Sequence, residues 1–345
     1  MTSTYGPSIL SNTESHALST GYRRQGCNIK VYFWGTRGSL PVSLNAKQVR
    51  AKVVAALKAA LRHSLGSDAD VERFLDDTLP FSVRGGYGGN TACIEIRGCD
   101  EYILCDAGTG LRDFGNHIMR SGGGGPAVYH IFLSHPHWDH IQGFPFFVPA
   151  FVPGNRINIY GFHPELETAF RIQQNPPSFP VPLDYMKAEK KFITLDPGRE
   201  YRIGGLTIKG IKQNHPGDSY GYSFEKEGKK IVYSTDSEHK EDVWGAEQPV
   251  FDFFRDADLL IFDAQYSFME SAYTKESWGH SSNILGVELA VAAGVKRLCL
   301  FHNEPACDDE ALDAFLENTR NYLQIHSEAS AMRIDLAYDG LEIEM

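Results

Sequence analysis

Apolar positions along the chain recur in two rhythms. Lys30–Trp34 alternates, and Val128–Leu133 is a near-continuous apolar run. Ile157–Tyr160, Leu206–Ile211, Leu259–Phe262 and Arg297–Phe301 have the length and composition of strands. Ala92–Ile96 and Tyr102–Cys105 read as a hairpin, and a second hairpin, Ser219–Phe224 with Lys230–Tyr233, turns at Glu227-Gly228. Between these runs the period changes. Val49, Val53, Leu57 and Leu61 give Ala46–His63 a helical spacing with Lys and Arg on the other face, and Asp68–Leu75 predicts a second, shorter helix. Further helices are expected from Leu111, over Pro164–Gln174 and over Asn283–Ala293. The apolar stretch Ile141–Val152 predicts a helix that starts at Asp139 or His140 and packs on a sheet. Asn175–Leu183 holds four prolines, cannot be regular helix, and reads as an ordered loop. Strands alternating with helices make the fold class α/β.

Composition narrows this frame. Residues 1–27 are rich in Ser, Thr and Gly and read as a flexible N-terminal arm. The remaining 28–345 is taken as a single domain, with a helical insertion at about 45–80 and the Pro-rich loop at about 175–183. The insertion is expected to be an outer packing layer rather than a lid or a dimer contact. With 33 basic and 44 acidic residues the net charge is −11, which disfavours a large polyanion as partner. Six cysteines without a C-x-x-C pair suggest free thiols in a reducing compartment. No apolar run approaches about 18 residues and the N-terminus lacks a signal-like core, so a cytoplasmic protein with no membrane segment is expected.

Chemistry concentrates in one heptapeptide. Ser134-His135-Pro136-His137-Trp138-Asp139-His140 sets four metal-capable side chains within six residues, directly after Val128–Leu133. Imidazole and carboxylate suit zinc, manganese or iron. His135 and His137 alternate along an extended chain and can close on one ion, while Asp139 and His140 lie past the turn and can reach a second. His215, Asp236 and His302 each follow an apolar strand; singly, such a histidine is more often a hydrogen-bonded loop or core residue. Asp106 either caps a turn or orients a metal-bound histidine. Gly35-Thr36-Arg37-Gly38-Ser39 lacks the lysine of a P-loop and the Rossmann spacing, and serves equally as a tight turn. Trp278-Gly279-His280-Ser281-Ser282 precedes a helix, which puts His280 at a helix N-terminus with Ser281 or Ser282 as cap. Asn90, His163, Asn214 and Asp263 are further pocket candidates.

His135-x-His137-x-Asp139-His140 resembles the signature of the metallo-β-lactamase superfamily. Its surroundings are similar to the phosphodiesterase and ribonuclease Z branch, from about Lys30 to the C-terminus. The resemblance implies an αββα sandwich, two mixed β-sheets flanked by helices. It implies two divalent ions, zinc first, with manganese or iron as alternatives. His135, His137 and His215 would hold one ion and Asp139, His140 and His302 the other, with Asp236 bridging. Asp139 and Asp236 are thereby catalytic as well as metal-binding, and Asp106 orients a ligand. Such a pair fits two-metal hydrolysis, with ions about 3.5–4 Å apart and metal-bound water available as hydroxide near neutral pH. The His280-Ser281-Ser282 segment resembles a His-Ser-Thr element of that branch, which makes His280 a general acid and phosphate contact, or else a capping histidine. True β-lactamases and glyoxalase II-type thioesterases lack it.

These features lead to a dinuclear metal-dependent phosphodiesterase acting on a small phosphodiester, a cyclic mono- or dinucleotide above others, with no stable nucleic-acid partner. The basic, Gly/Pro-rich arm with which ribonuclease Z grips transfer RNA has no counterpart. The rivals are a transfer RNA 3′-processing endonuclease, a thioester or lactone hydrolase, and a slow ligand-binding signalling protein; a diiron oxidoreductase lacks its flavin domain. Family members often form homodimers, but no residue here requires it.

Overall fold

The computed structural model describes residues 28–122, 125–239, 249–267, 275 and 277–345; the arm expected over 1–27 lies outside them. Among the described residues the strands form two seven-stranded sheets. The first has the order β14 (Glu342–Glu344), β1 (Lys30–Gly35), β2 (Cys93–Arg97), β3 (Tyr102–Cys105), β4 (Val128–Phe132), β5 (Arg156–Gly161), β6 (Glu189–Thr194). The second has the order β13 (Arg333–Leu336), β12 (Arg297–Phe301), β11 (Leu259–Asp263), β10 (Lys229–Ser234), β9 (Ser219–Lys226), β8 (Leu206–Gln213), β7 (Glu200–Ile203). Both sheets are mixed. β3 to β6 and β10 to β13 pair in parallel, and the other neighbours are antiparallel.

Side-chain alternation explains the layering. In β11, Leu259 and Ile261 enter the cluster between the sheets, while Leu260 and Phe262 face outward onto helices. β4 does the same, with Phe132 between the sheets and Tyr129 and Ile131 on the outer face. Strands buried on both faces read as continuous apolar runs, as these do. Helix Gly110–Arg120 covers the first sheet through Leu111, Phe114 and Ile118, and helices Asn283–Ala292 and Asp309–His326 cover the second through Val287, Leu289, Leu312 and Leu323. Fully burying one such side chain contributes about 1.5–3 kcal/mol. The result is the expected α/β, αββα sandwich.

Two expectations need correction. Ile141–Val152 is not a helix. One turn, Trp138–Ile141, is followed by two short 3-10 turns, Phe144–Phe146 and Val148–Phe151, each carrying a proline (Pro145, Pro149) near its start. A proline inside a helix removes a hydrogen bond and clashes with the preceding turn, so the apolar stretch folds onto the sheet as turns. The insertion forms helices Ala46–Ala60 and Asp68–Thr78, but the first buries none of its residues. Val49, Val53, Leu57 and Leu61 face water, and the helix is held from its other side, where Lys52 bonds Gly85 O and Asp309. It is not the packed outer layer that its period suggested.

Unanticipated elements include the edge strands β6, β7, β13 and β14 and the helix Asp309–His326. The described cysteines are free thiols. No helix among the described residues is long and apolar enough to cross a membrane.

Candidate metal centre

Parallel strands bring their carboxyl ends to one edge, and loops leaving that edge are where α/β folds collect chemistry. In register, Cys105 pairs with Phe132, Ser234 with Phe262, and Asp263 with Phe301. Asp106, Ser134–His140, Asp236, Asp263 and His302 therefore leave their strands at one level. Asp106, Asp236 and His302 have φ of +59°, +48° and +65°, a left-handed backbone that costs free energy in residues other than glycine. Such strain at three strand ends is a mark of positions held for function.

All seven side chains expected as ligands meet. His135, His137 and His215 offer nitrogens close enough to hold one ion, and Asp139, His140 and His302 form a second such group. Asp236 lies between them. Its Oδ2 is 3.7 Å from His135 Nε2 and 3.7 Å from His215 Nε2, while its Oδ1 is 3.2 Å from His140 Nε2 and 3.3 Å from His302 Nε2. Asp139 Oδ2 lies 3.2 Å from His140 Nε2 and 3.3 Å from His302 Nε2.

The imidazoles are fixed from behind. His215 Nδ1 donates to Gly279 O at 2.9 Å, which leaves the Nε2 lone pair facing His137 Nδ1 at 3.1 Å. His140 Nδ1 bonds Asp106 Oδ2 at 2.7 Å. Asp106 also accepts from Ser134 N and from Tyr233 OH, both at 2.7 Å. Of its two open roles, Asp106 thus has the place of a group that orients an imidazole. Gly38 and Gly279 close the cradle, since a Cβ on either would stand 2.5 Å or 2.3 Å from the Nδ1 of His302 or His215.

The donor set fits divalent cations. His135 Nε2 and His140 Nε2 are buried without a hydrogen-bond partner, yet both point at carboxylate oxygens. Burial, with the neighbouring histidines, holds His135 well below its ordinary pKa, and burial lowers His137 and His215 as well. Neutral imidazole is the ligand form. Burial opposes charge on Asp139 and Asp236, but the surrounding histidines hold both carboxyls well below the usual range. His140 goes the other way. Burial would lower it, but Asp139, Asp236 and Asp106 carry it well up.

Beside this cluster lies a cavity of about 320 Å³ whose lining includes Ser39, Pro216, Trp278 and His280. A larger groove of about 560 Å³ sits at the far end of β9, around Arg202, Lys226 and Lys230, away from every ligand candidate. His280 is buried, and its Nδ1 lies 2.8 Å from Asp263 Oδ2. Burial would lower its pKa, but the Asp263 charge and hydrogen bond bring it up to about 9. Ser282, not Ser281, caps the following helix by accepting from Leu285 N.

Other candidates fall elsewhere. Asn90 bonds Asp113 and Trp34 O, His163 the carbonyls of Gly217 and Asp218, and Asn214 Glu238 O. Asp263, the remaining candidate, ends a strand as Asp106 does and pairs with His280, a partner that the sequence did not mark. One contribution was missed. Ser39 N donates to Asp139 Oδ2 at 2.9 Å, so the turn after β1 serves the metal loop rather than a phosphate.

The Beta-lactamase superfamily domain family matches residues 101–303. Ribonuclease Z of Thermoplasma volcanium is 28% identical over 255 residues, covering 61% of this chain and 80% of that protein. Among solved structures, the metallo-β-lactamase fold protein YhfI of Bacillus subtilis aligns with TM-score 0.61 and 19% identity, over 92% of this chain and 99% of its own. Unliganded yeast PDE1 aligns with TM-score 0.59 and 14% identity, over 92% and 99%. These structures share the fold. Because the family match takes in more than half of the chain, including β3, β4, β10, β11 and β12, the chain belongs to the metallo-β-lactamase superfamily, in its ribonuclease Z-like branch, and is a metal-dependent hydrolase.

Proposed function

We propose that the protein is a dinuclear metal-dependent phosphodiesterase whose substrate is a small diester, a cyclic nucleotide first among them. The observation that carries this reading is the Asp263–His280 pair at the edge of a cavity lined by five of the seven ligand candidates, His137, Asp139, His215, Asp236 and His302. His135, His137 and His215 are assigned to one cation, Asp139, His140 and His302 to the other, and Asp236 to both. Zinc is the preferred ion, with manganese or iron as alternatives. When bound, the ions make water a usable nucleophile near neutral pH and draw charge from the phosphate oxygens.

The chain's own groups supply the rest. His280 spends Nδ1 on Asp263, so its Nε2 is the atom available to a substrate. Paired with Asp263, whose charge and hydrogen bond favour the imidazolium, it can give a proton to the leaving alkoxide. Asp263 keeps the ring in place and stabilises its charge. Ser39 N holds the Asp139 carboxylate, and Gly279 O sets the His215 tautomer. Asp139 and Asp236 act as ligands of the reacting centre. A thioester hydrolase, whose thiolate leaves readily, has less need of such a donor, and a cavity of about 320 Å³ suits a small ligand.

A structured RNA is the second reading. Ribonuclease Z is the name of several relatives, and the exposed helix Ala46–Ala60 carries Lys47, Arg50 and Lys58 with no acidic residue between 45 and 66. That local run qualifies the expectation drawn from net charge. The deciding experiment is a metal analysis of the purified protein with a panel of cyclic mono- and dinucleotides, a transfer RNA precursor and a thioester. Turnover of a cyclic nucleotide with two ions per chain is expected. Turnover of the RNA precursor or the thioester alone would reject it.

A further inference from the structure

The cavity has one large apolar wall. Trp278 lines it beside His215, His280 and His302, yet 59% of its surface is in water. Its backbone is pinned on both sides. Ser277 N donates to Glu238 Oε1 at 3.0 Å, Trp278 N to Lys275 O at 3.3 Å, and Gly279 O accepts from His215 Nδ1 at 2.9 Å. Gly279 has φ +88°, and a Cβ there would strike His215. The backbone that carries the indole is therefore anchored beside the ligand candidates while most of the side chain stays in water. An aromatic ring left in water forgoes the burial that an occupant of the cavity would provide.

The remaining lining decides what that occupant is. Among the described residues it contains no lysine or arginine. The nearby Lys275 ammonium is 3.0 Å from Glu304 Oε2 and 5.8 Å from the Trp278 ring centroid, so its charge is already paired. Beyond the phosphate, recognition falls to apolar contact and stacking. A flat heteroaromatic ring meets that requirement, because every nucleobase has a π-face and stacks on an aromatic side chain without needing a hydrogen-bond code.

We propose that Trp278 is a stacking subsite for the planar base of a phosphodiester substrate, adjoining the metal cluster on the His280 side. The inference rests on the phosphodiesterase reading. It makes Trp278 a determinant of binding rather than of proton transfer, so it acts on KM and not on kcat.

The test compares adenosine 3′,5′-cyclic phosphate with the base-free methyl riboside 3′,5′-cyclic phosphate, using the metal-loaded full chain. The wild type is expected to show a KM on the order of 10-fold lower for the nucleotide. Trp278→Ala should raise the nucleotide KM to that of the base-free diester, with kcat and metal content little changed, and Trp278→Phe should restore most of the difference. An unaltered KM ratio in Trp278→Ala overturns the subsite. Should the wild type cleave neither compound, the phosphodiesterase reading fails. The subsite is then judged by equilibrium dialysis of the same two compounds, where equal affinity in wild type and Trp278→Ala rejects it and selective loss of nucleotide binding upholds it.

Discussion

At the scale of single residues, the proposed roles separate groups that would hold cations from one group that would handle a proton. His280 is bound to Asp263 and to no carboxylate of the bridge, so removing it should leave the ligands intact. His280→Ala is expected to keep two ions per chain while lowering kcat on the order of 10²–10⁴-fold for a diester with an alkoxide leaving group. With p-nitrophenolate, which departs without help, the loss should be much smaller. Asp236→Ala should instead lower metal content. Equal losses on both leaving groups, or two ions retained by Asp236→Ala, would reverse these roles. The ligand candidates were legible in the sequence because four of the seven fall in one heptapeptide after a buried strand. The partner of His280 was not. Seventeen residues separate it from Asp263, and only the parallel register of β11 with β10 and β12 brings that strand end to the cavity.

At the scale of elements, the glycine-rich loop before β2 depends on a carboxylate from the far end of the chain. Asp339 accepts from Gly89 N and Asn90 N, both at 2.9 Å, and from Thr36 Oγ1 at 3.1 Å. Burial pushes its carboxyl up to about 6, against those hydrogen bonds. A carboxyl whose pKa is raised by folding stabilises most in its protonated form. That contribution is complete below about pH 4 and is lost as pH rises through 6, an effect on the order of 3 kcal/mol for a rise from 3.8 to about 6. Asp339→Asn keeps the shape and removes the titration. Thermal melts of both proteins between pH 4 and 7 should show the variant gaining on the wild type as pH rises; a constant difference would exclude this role. Such a contact leaves no trace in local periodicity. The strands missed from the sequence are of the same kind. β14 is three residues long, and Glu189–Thr194 of β6 is too charged to read as a strand until its parallel partner β5 is known. The helix Asp309–His326 did carry a signal, an Asp308 cap and Leu312, Leu316 and Leu323 at helical spacing.

At the scale of the whole molecule, the ligand candidates are divided between the sheets. His135, His137, Asp139 and His140 follow β4 of the first sheet, whereas His215, Asp236 and His302 follow strands of the second. Cations at the cluster would tie one sheet to the other at the edge where their loops meet, and binding to the native state alone stabilises it by mass action. Thorough chelation should lower Tm by on the order of 5 °C or more, with recovery on adding zinc or manganese. An unchanged melt would mean that the cluster stands without ions. The sandwich came from the resemblance carried by the His135–His140 motif, and the α/β class was legible from the alternation of apolar runs, because buried central strands declare themselves. How the halves share one centre was not, since it depends on two carboxyl edges facing each other.

Helix Ala46–Ala60 carries its own test of what surrounds the chain in solution. Leu57 is 63% exposed, so exchanging it for glutamine removes little burial within the fold. An isolated chain should tolerate Leu57→Gln with a stability change within about 0.5 kcal/mol. A melt that falls well beyond that would reveal that this aliphatic seam is dry under working conditions, sheltered by something other than the chain's own core.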